Sequence, residues 1–407
     1  MYKPIEIADK VFSVGCRDWD IRDFHGYSTY EGTSYNAFLI LDEKNVLIDT
    51  VKKEFKDELL DNISSIIDPS EIDIVISNHT EMDHTGALPG VMDRIGKEKP
   101  VYCSKMGLKN IKSHFPQNFN LHGVENGEEL NIGEKTLSFM ETKMLHWPDS
   151  MFTYLKEEKI LFSSDAFGQH YAGSSVFDDK NGEDIMGHAA KYYANILLHL
   201  SSKIQQLLKS VQESGLEIKM ICPDHGVLWK DDIGTILEAY DRWSLQKPEK
   251  KAVILYDTMW KSTAKMAKEI AKGVESCGVS VKLMNTRQCH RSDIITELLD
   301  AGAVAVGSPT LNNGIFPVIA DIITYIKGLS PKNKVAAAFG SYGWSGEAVK
   351  IINKEFEAMK FDIIDDGLRV KYVPEKEDLE KCFELGKKLG LKVLEETKKS
   401  KSNIELF

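Results

Sequence analysis

Ile72-Asp73-Ile74-Val75-Ile76-Ser77-Asn78-His79-Thr80-Glu81-Met82-Asp83-His84 runs from an apolar stretch straight into a polar turn. The apolar part predicts a buried strand. Beyond it, four side chains able to hold a metal, His79, Glu81, Asp83 and His84, fall within six residues. An extended chain would put positions 79, 81 and 83 on one side, whereas a loop would divide the four between two neighbouring sites.

Three later positions repeat the pattern of an apolar run ending in a ligand type. They are His146 in Leu145-His146-Trp147-Pro148-Asp149-Ser150, Asp165 in Phe162-Ser163-Ser164-Asp165-Ala166-Phe167, and His225 in Pro223-Asp224-His225-Gly226. Taken singly, such a residue is more often a cap or a packed core group than a ligand. Taken together, ligand types on several strand ends suit a rigid scaffold for a metal pair. Imidazole and carboxylate without thiolate is compatible with Zn, Fe or Mn. The negative charge added by the carboxylates favours Fe or Mn, which cycle through a trivalent state. His114, His122, His188 and His199 lack this context and read as solvated or packed histidines.

The bulk of the chain bounds what surrounds this cluster. At 407 residues it predicts two or three domains. Apolar content of 42% with 28% charged residues lets each half bury a full core. A net charge of −11 argues against a nucleic-acid surface and against docking on anionic membrane. No apolar run approaches the roughly 18 residues of a spanning helix. The opening Met1-Tyr2-Lys3-Pro4-Ile5-Glu6 lacks a secretory pattern, and the six cysteines are scattered with no CxxC pair. The expectation is a cytoplasmic protein without a disulfide framework or a thiolate metal site.

A charged, proline-containing stretch, Gln246-Lys247-Pro248-Glu249-Lys250-Lys251, is the best linker. Ten of the eleven histidines precede it and only His290 follows. The expected domains are therefore 1–247, bearing the metal chemistry, and 251–398. Within the first, strands at 46–48, 72–76, 137–140 and 160–162 mix with helices near 53–65 and 189–213, which reads as α+β, a layered αββα sandwich. In the second, apolar runs at 252–256, 279–283, 303–306, 335–339 and 361–364 alternate with helical patterns at 263–277, 293–299, 318–329, 347–359 and 378–396. That rhythm predicts a doubly wound parallel α/β sheet of flavodoxin type. The tail 398–402 reads as a frayed end.

Three loops at strand ends of the second domain carry its chemistry. Thr258-Met259-Trp260-Lys261-Ser262-Thr263 opens the first helix, where hydroxyls and backbone N–H groups form a phosphate cradle. The Gly-Lys-Ser/Thr ending of a P-loop and the Gly-x-Gly-x-x-Gly of a dinucleotide fold are both missing from that loop. It fits one phosphate monoester, hence a mononucleotide. Ser308-Pro309-Thr310-Leu311-Asn312-Asn313-Gly314 and Gly340-Ser341-Tyr342-Gly343-Trp344-Ser345-Gly346 leave the same edge. Their glycines admit a planar ring, and Trp344 and Tyr342 could cover an isoalloxazine face. The ligand expected is FMN.

The whole chain resembles the A-type flavodiiron proteins, whose first domain has the metallo-β-lactamase fold. The resemblance is carried by His79-x-Glu81-x-Asp83-His84, by 145–151, by Asp165-Ala166-Phe167-Gly168-Gln169-His170 and by Gly32-Thr33-Ser34-Tyr35-Asn36-Ala37. The hydrolase branch of that fold has histidine where Glu81 stands. The resemblance implies a metallo-β-lactamase-like domain followed by a flavodoxin-like domain, with FMN and two Fe ions. It assigns His79, Glu81 and His146 to one iron, Asp83, His84 and His225 to the other, and Asp165 as the bridge. Family members differ over whether the histidine at position 84 binds metal. His25 and His170 are implied as pocket residues beside the irons.

The function implied is reduction of dioxygen to water, of nitric oxide to nitrous oxide, or both. Two ferrous ions and one reduced FMN hold the four electrons that dioxygen needs. The donor would be external, either rubredoxin or a reduced deazaflavin coenzyme. Flavodiiron proteins dimerise head to tail, so a homodimer or homotetramer is expected. Two other readings compete: a zinc metallohydrolase with a flavin-sensing domain, against which Glu81 speaks, and a simple electron carrier, which leaves seven ligand types without purpose.

Overall fold

The computed structural model describes residues 3–178 and 184–402. They form two compact units, one drawn from Met1–Tyr192 and Ser202–Asp241, the other from Tyr193–Ser201 and Arg242–Phe407.

The first unit is built on two sheets. The larger runs in the order Ile5–Ala8, Val11–Ser13, Phe38–Ile40, Asn45–Ile48, Ile72–Ser77, Pro100–Ser104 and Asn120–Val124. The other runs Glu129–Asn131, Thr136–Glu141, Met151–Leu155, Ile160–Phe162 and Met220–Cys222. Alternation along each strand sends side chains to opposite faces. Val46, Ile48, Ile74 and Ile76 share one core with Phe139, Met151, Leu155 and Phe162 of the second sheet. Leu47, Val75 and Val101 pack instead with Leu59, Ile63, Leu88 and Val91 of the helices on the outer face. A strand covered on both sides needs apolar residues at nearly every position, which is why 72–76 reads as an unbroken run.

Strand direction places the ligand candidates on one edge. Asn45–Ile48 and Ile72–Ser77 are parallel, so Asp49 and Asn78 emerge together. Thr136–Glu141 ends, Met151–Leu155 begins and Ile160–Phe162 ends on one side of the second sheet, where Met220–Cys222 also ends. Asn78 joins the two sheets at this edge. Its N–H and Nδ2 donate to Asp49 at 2.7 and 2.8 Å. Its carbonyl accepts from Met151 N at 2.9 Å, and its Oδ1 accepts from the Thr153 hydroxyl at 2.6 Å.

The second unit is a parallel sheet in the order Ser280–Asn285, Glu249–Tyr256, Ala301–Gly307, Val335–Tyr342, Asp362–Ile363, with Leu368–Lys371 also paired to Val335–Tyr342. The order 2-1-3-4-5 is the flavodoxin-like winding. Helices Ser262–Glu275 and Lys376–Ser402 cover one face together with the buried Ala252, Ile254, Ala303 and Ala337. The two helices touch backbone to backbone: a Cβ on Gly273 would lie 2.0 Å from the Phe383 carbonyl, and one on Gly386 would lie 2.0 Å from that of Ile270. The second helix continues through the tail expected to fray.

One expectation for the first half is corrected. The predicted helix at 189–213 is broken. Helix Ile185–Tyr192 passes into a π-turn, Tyr193–Leu197, and a 3-10 turn, Leu198–Leu200, before Ser201–Ser214. The π-turn adds one residue to the local winding. It sets Asn195 to donate to the Ser292 carbonyl at 3.1 Å and to accept from the Tyr325 hydroxyl at 2.7 Å.

Lys334, at the start of the Val335–Tyr342 strand, is buried, and its Nζ donates to the Ala301 carbonyl at 2.6 Å. Burial lowers its ammonium to about 7, against the partial support of Asp300. An unfolded lysine titrates near 10.4. The folded chain therefore loses stability as pH falls from about 10.4 to about 7, and no more below that. Lys334→Met should abolish this share of the dependence. Urea midpoints should show wild type gaining on the variant between pH 7 and pH 9, by an amount on the order of a few kcal/mol.

Candidate metal centre and flavin edge

Four imidazole Nε2 atoms and three carboxylates converge at the sheet edge. Asp165 follows the Ile160–Phe162 strand and sits between two groups. Its Oδ2 lies 3.0 Å from His146 Nε2 and 3.4 Å from His79 Nε2. Its Oδ1 lies 3.4 Å from His84 Nε2 and 3.5 Å from His225 Nε2. Glu81 Oε2 completes the first group, 3.2 Å from His146 Nε2 and 3.4 Å from His79 Nε2. Asp83 completes the second, with Oδ2 3.2 Å from His225 Nε2 and Oδ1 3.4 Å from His84 Nε2. Among the described residues three sets each gather ligand atoms within 4.8 Å: His79-Glu81-His146-Asp165, Asp83-His84-His225 and, overlapping both, His84-Asp165-Asp224.

The donor set fits a pair of cations. Asp83 Oδ1, Asp165 Oδ2 and both ring nitrogens of His84 are buried without a hydrogen-bond partner. Buried polar groups left this way cost about 1–3 kcal/mol each, and a bound ion removes the deficit. Burial would lower His79, yet Asp149 and Glu81 more than offset it and carry the imidazole up to about 10. Burial likewise acts against charge on His84 and His146, but the carboxylates facing them, Asp83 for His84 and Asp165 for His146, raise both. Burial pushes Asp165 and Glu81 up, and the same histidines pull both below the usual carboxylate range. Metal binding to such a site displaces protons.

A further layer of groups orients these side chains. Asp149 Oδ2 accepts from His79 Nδ1 at 3.2 Å, from Thr80 N at 2.8 Å and from the Thr80 hydroxyl at 2.7 Å, while its Oδ1 accepts from Asn110 Nδ2 at 3.1 Å. His225 Nδ1 donates to the Ser34 carbonyl at 2.6 Å. The Tyr192 hydroxyl donates to Asp165 Oδ1 at 2.9 Å. With Nδ1 engaged outward, Nε2 is left to face a metal.

His25 and His170 take different places. His25 is exposed and lines a cavity of 620 Å³ with Phe24, Glu81, Asp83 and Trp147. His170 is buried, its Nδ1 2.8 Å from the Thr33 hydroxyl and its ring centroid 4.8 Å from that of His225. Burial, then the neighbouring His225, hold it well below the ordinary histidine range, so it is neutral. His114, His122, His188 and His199 join neither ligand set among the described residues.

In the second unit all three loops leave the carboxyl ends of adjacent strands and interlock. The Thr263 and Ser341 hydroxyls lie 2.9 Å apart, and Thr310 N donates to the Ser341 carbonyl at 2.9 Å. Helix Ser262–Glu275 starts with no side-chain cap, and the Thr258 Oγ1 beside it is buried without a partner. Uncapped N–H groups and a free hydroxyl suit a phosphate. Trp260 and Trp344 are 84% and 88% exposed, leaving their indole faces open to a ring.

Two positions in quoted stretches, Asp149 and Asp224, belong to this machinery although neither was singled out. A carboxylate next to a ligand carries no mark in sequence of where it points. Thr33, also in a quoted stretch, and Tyr192, in none, reach the site only through the fold.

Fold and site together define a class: a metallo-β-lactamase-like domain with a binuclear imidazole–carboxylate cluster, joined to a flavodoxin-like domain. The comparisons agree. Residues 33–226 match the family model for the ODP family beta lactamase, and residues 254–386 match that for flavodoxin. The chain is 46% identical to a nitric oxide reductase of Moorella thermoacetica, over 97% of this chain and 100% of the relative. The solved rubredoxin oxygen:oxidoreductase of Desulfovibrio gigas superposes with a TM-score of 0.95 at 41% identity, covering 97% of this chain and 99% of its own. The flavodiiron protein of Giardia intestinalis gives 0.95 at 36%, covering 98% of each. The chain belongs to the flavodiiron proteins.

Proposed function

We propose that this chain is an FMN- and diiron-dependent oxidoreductase that reduces dioxygen to water, nitric oxide to nitrous oxide, or both. The observation that carries the reading is Asp165, whose two oxygens are shared between two complete ligand sets. His79, Glu81 and His146 would hold one iron and Asp83, His84 and His225 the other, with Asp165 between them. Residues 1–247 and 251–398 would act as the metal and flavin domains. FMN would lie on the 258–263, 309–313 and 341–346 loops, its phosphate at Ser262, Thr263 and Thr258. When bound, the irons bind and polarise the gas and the flavin supplies electrons.

The protein's own part is access, orientation and protons. The cavity beside Glu81 and Asp83 is lined by Phe24 and Trp147 on its apolar side and by Lys52, Lys53 and Glu54 on its charged side, and gives a small molecule access to the ligand edge. Tyr192 holds the Asp165 carboxylate in the plane that serves both sides. His25, at the cavity wall and open to solvent, is placed to pass the protons that both reactions consume. Neutral His170 packs against His225 and fixes its ring. The zinc-hydrolase alternative is not favoured, since the named relatives are oxidoreductases.

The test is anaerobic loading with ferrous iron and FMN, then turnover of each gas with reduced rubredoxin or a reduced deazaflavin coenzyme. The expected content is two irons and one FMN per chain, with flavin reoxidation by at least one gas. Two zinc ions and hydrolytic turnover would overturn the reading. We infer a cytoplasmic location from the scattered cysteines and the net charge of −11. We also infer a head-to-tail homodimer or homotetramer. Specific activity should therefore fall on dilution in step with the monomer fraction seen by sedimentation. A monomer of undiminished activity would refute the assembly.

A further inference from the structure

A fourth strand end stands beside the flavin loops of the second unit. Ser280–Asn285 flanks Glu249–Tyr256 on the side away from Ala301–Gly307, and Tyr256 has Asn285 on one side and Gly307 on the other. Arg287 lies in the turn just beyond Asn285, and the backbone there is held. The Arg287 N–H donates to Asn285 Oδ1 at 3.0 Å, and the Thr286 N–H to the Tyr256 carbonyl at 3.0 Å. Arg287 Nε donates to the two oxygens of Asp257 at 2.8 and 3.0 Å. Asp257 is buried, and its Oδ1 also accepts from Thr258 N, the first amide of the phosphate loop, at 2.6 Å. The guanidinium carbon stands 5.5 Å from the centroid of the Phe316 ring. Phe316 ends the loop that follows Ala301–Gly307 and caps helix Pro317–Leu329. A side chain that starts after the second strand and reaches the loop after the third crosses the carboxyl end of the first. That is the crevice in which doubly wound sheets take their ligands.

We propose that Arg287 is a phosphate-binding residue of the flavin site, its Nε anchored on Asp257 and its Nη groups donating to the FMN phosphate. The inference rests on the flavin reading above. A buried carboxylate needs a partner, and here a single N–H supplies it. Among the described residues neither Nη1 nor Nη2 of Arg287 has a hydrogen bond, and the side chain is 55% exposed. The remaining N–H groups are therefore free for a ligand. A phosphate monoester brings a charge of about −1.5 to −2 to a loop whose first amide already carries the Asp257 carboxylate. The two negative groups repel unless a cation stands with them, and Arg287 is tied to one of them directly. A guanidinium is always charged, and its planar fork matches phosphate oxygens in pairs. The competing role is neutralisation of Asp257 alone. That role ends when the Asp257 charge is removed, whereas a contact to the phosphate persists.

The experiment titrates the flavin-free full chain with FMN and with riboflavin, which lacks the phosphate, and reads binding by fluorescence quenching. The proteins are wild type, Arg287→Met, Arg287→Lys, Asp257→Asn and the Asp257→Asn/Arg287→Met double variant. Asp257→Asn removes the buried charge and keeps an oxygen for the Thr258 amide. The double variant then holds no unpaired carboxylate, so it serves where melting shows that Arg287→Met alone fails to fold. Wild type should prefer FMN to riboflavin. Adding Arg287→Met to Asp257→Asn should weaken FMN about 10–100-fold, the worth of a hydrogen bond between charged groups, and leave riboflavin binding unchanged. Arg287→Lys keeps the charge without the paired donors and should recover part of the loss. Equal FMN affinity in Asp257→Asn and the double variant would overturn the proposal and leave Arg287 as the counter-charge of Asp257. A loss shared equally by riboflavin would overturn it too, since a merely structural role weakens both flavins. A wild type that binds neither flavin would overturn the flavin reading beneath it.

Discussion

Asp165→Ala should reduce bound iron from two per chain to less than one and bring gas reduction to background, while FMN content stays at wild-type level. The side chain sits within 3.0–3.5 Å of four imidazoles and has one oxygen for each pair. Truncation removes a ligand from both positions at once and leaves the Tyr192 hydroxyl without its acceptor inside a closed interior. Breaking a buried charged cluster by deleting one partner costs about 3–5 kcal/mol. That is about two to four powers of ten in affinity. Plasma emission for iron and visible absorbance for flavin, on one sample, read both halves of the prediction. Two retained irons would show that the bridge is dispensable.

The mirror result is expected from Ser262→Glu. Ser262 is the first residue of the helix whose uncapped N–H groups face the proposed phosphate. A carboxylate there opposes a phosphate of like sign. Two unit charges 4 Å apart near a protein surface repel by about 4 kcal/mol, which is about a thousandfold in dissociation constant. The purified variant should be colourless in the flavin bands, retain two irons, and no longer turn over with an external donor. Titrating FMN back by fluorescence quenching gives the size of the loss. Ser262→Ala, which keeps the helix terminus and removes one hydroxyl, should bind FMN within about tenfold of wild type. A yellow Ser262→Glu protein would place the phosphate elsewhere.

The second unit was largely legible because its central strands, Glu249–Tyr256, Ala301–Gly307 and Val335–Tyr342, are buried along most of their length. Runs such as 303–306 and 335–339 are then apolar without interruption, and each ends in a polar loop. The first unit was harder to read. Val11–Ser13, Glu129–Asn131 and Met220–Cys222 span three residues each, too short for any alternation to register. The 189–213 pattern is helical in period, and only the side-chain bonds of Asn195 reveal why the winding changes there. Ligand types stood out because His79, Glu81, Asp83 and His84 crowd one turn. Asp149 and Asp224 were visible as residues but not as roles, since what they face lies 39 to 140 positions away in the chain.

Asn78, one residue before His79, divides its polar groups between the two sheets, N–H and Nδ2 to Asp49 beside the neighbouring strand of its own sheet, carbonyl and Oδ1 to Met151 and Thr153 of the other. The frame that carries the ligands is thereby riveted at its working edge, and its strand ends have little freedom to slide. With irons bound, a change of charge in the cluster would be taken up by the carboxylates and rings that hold them rather than by the backbone. Small structural adjustment between oxidation levels means a low reorganisation energy. Asn78→Ala should therefore slow electron uptake by the irons even where every ligand remains.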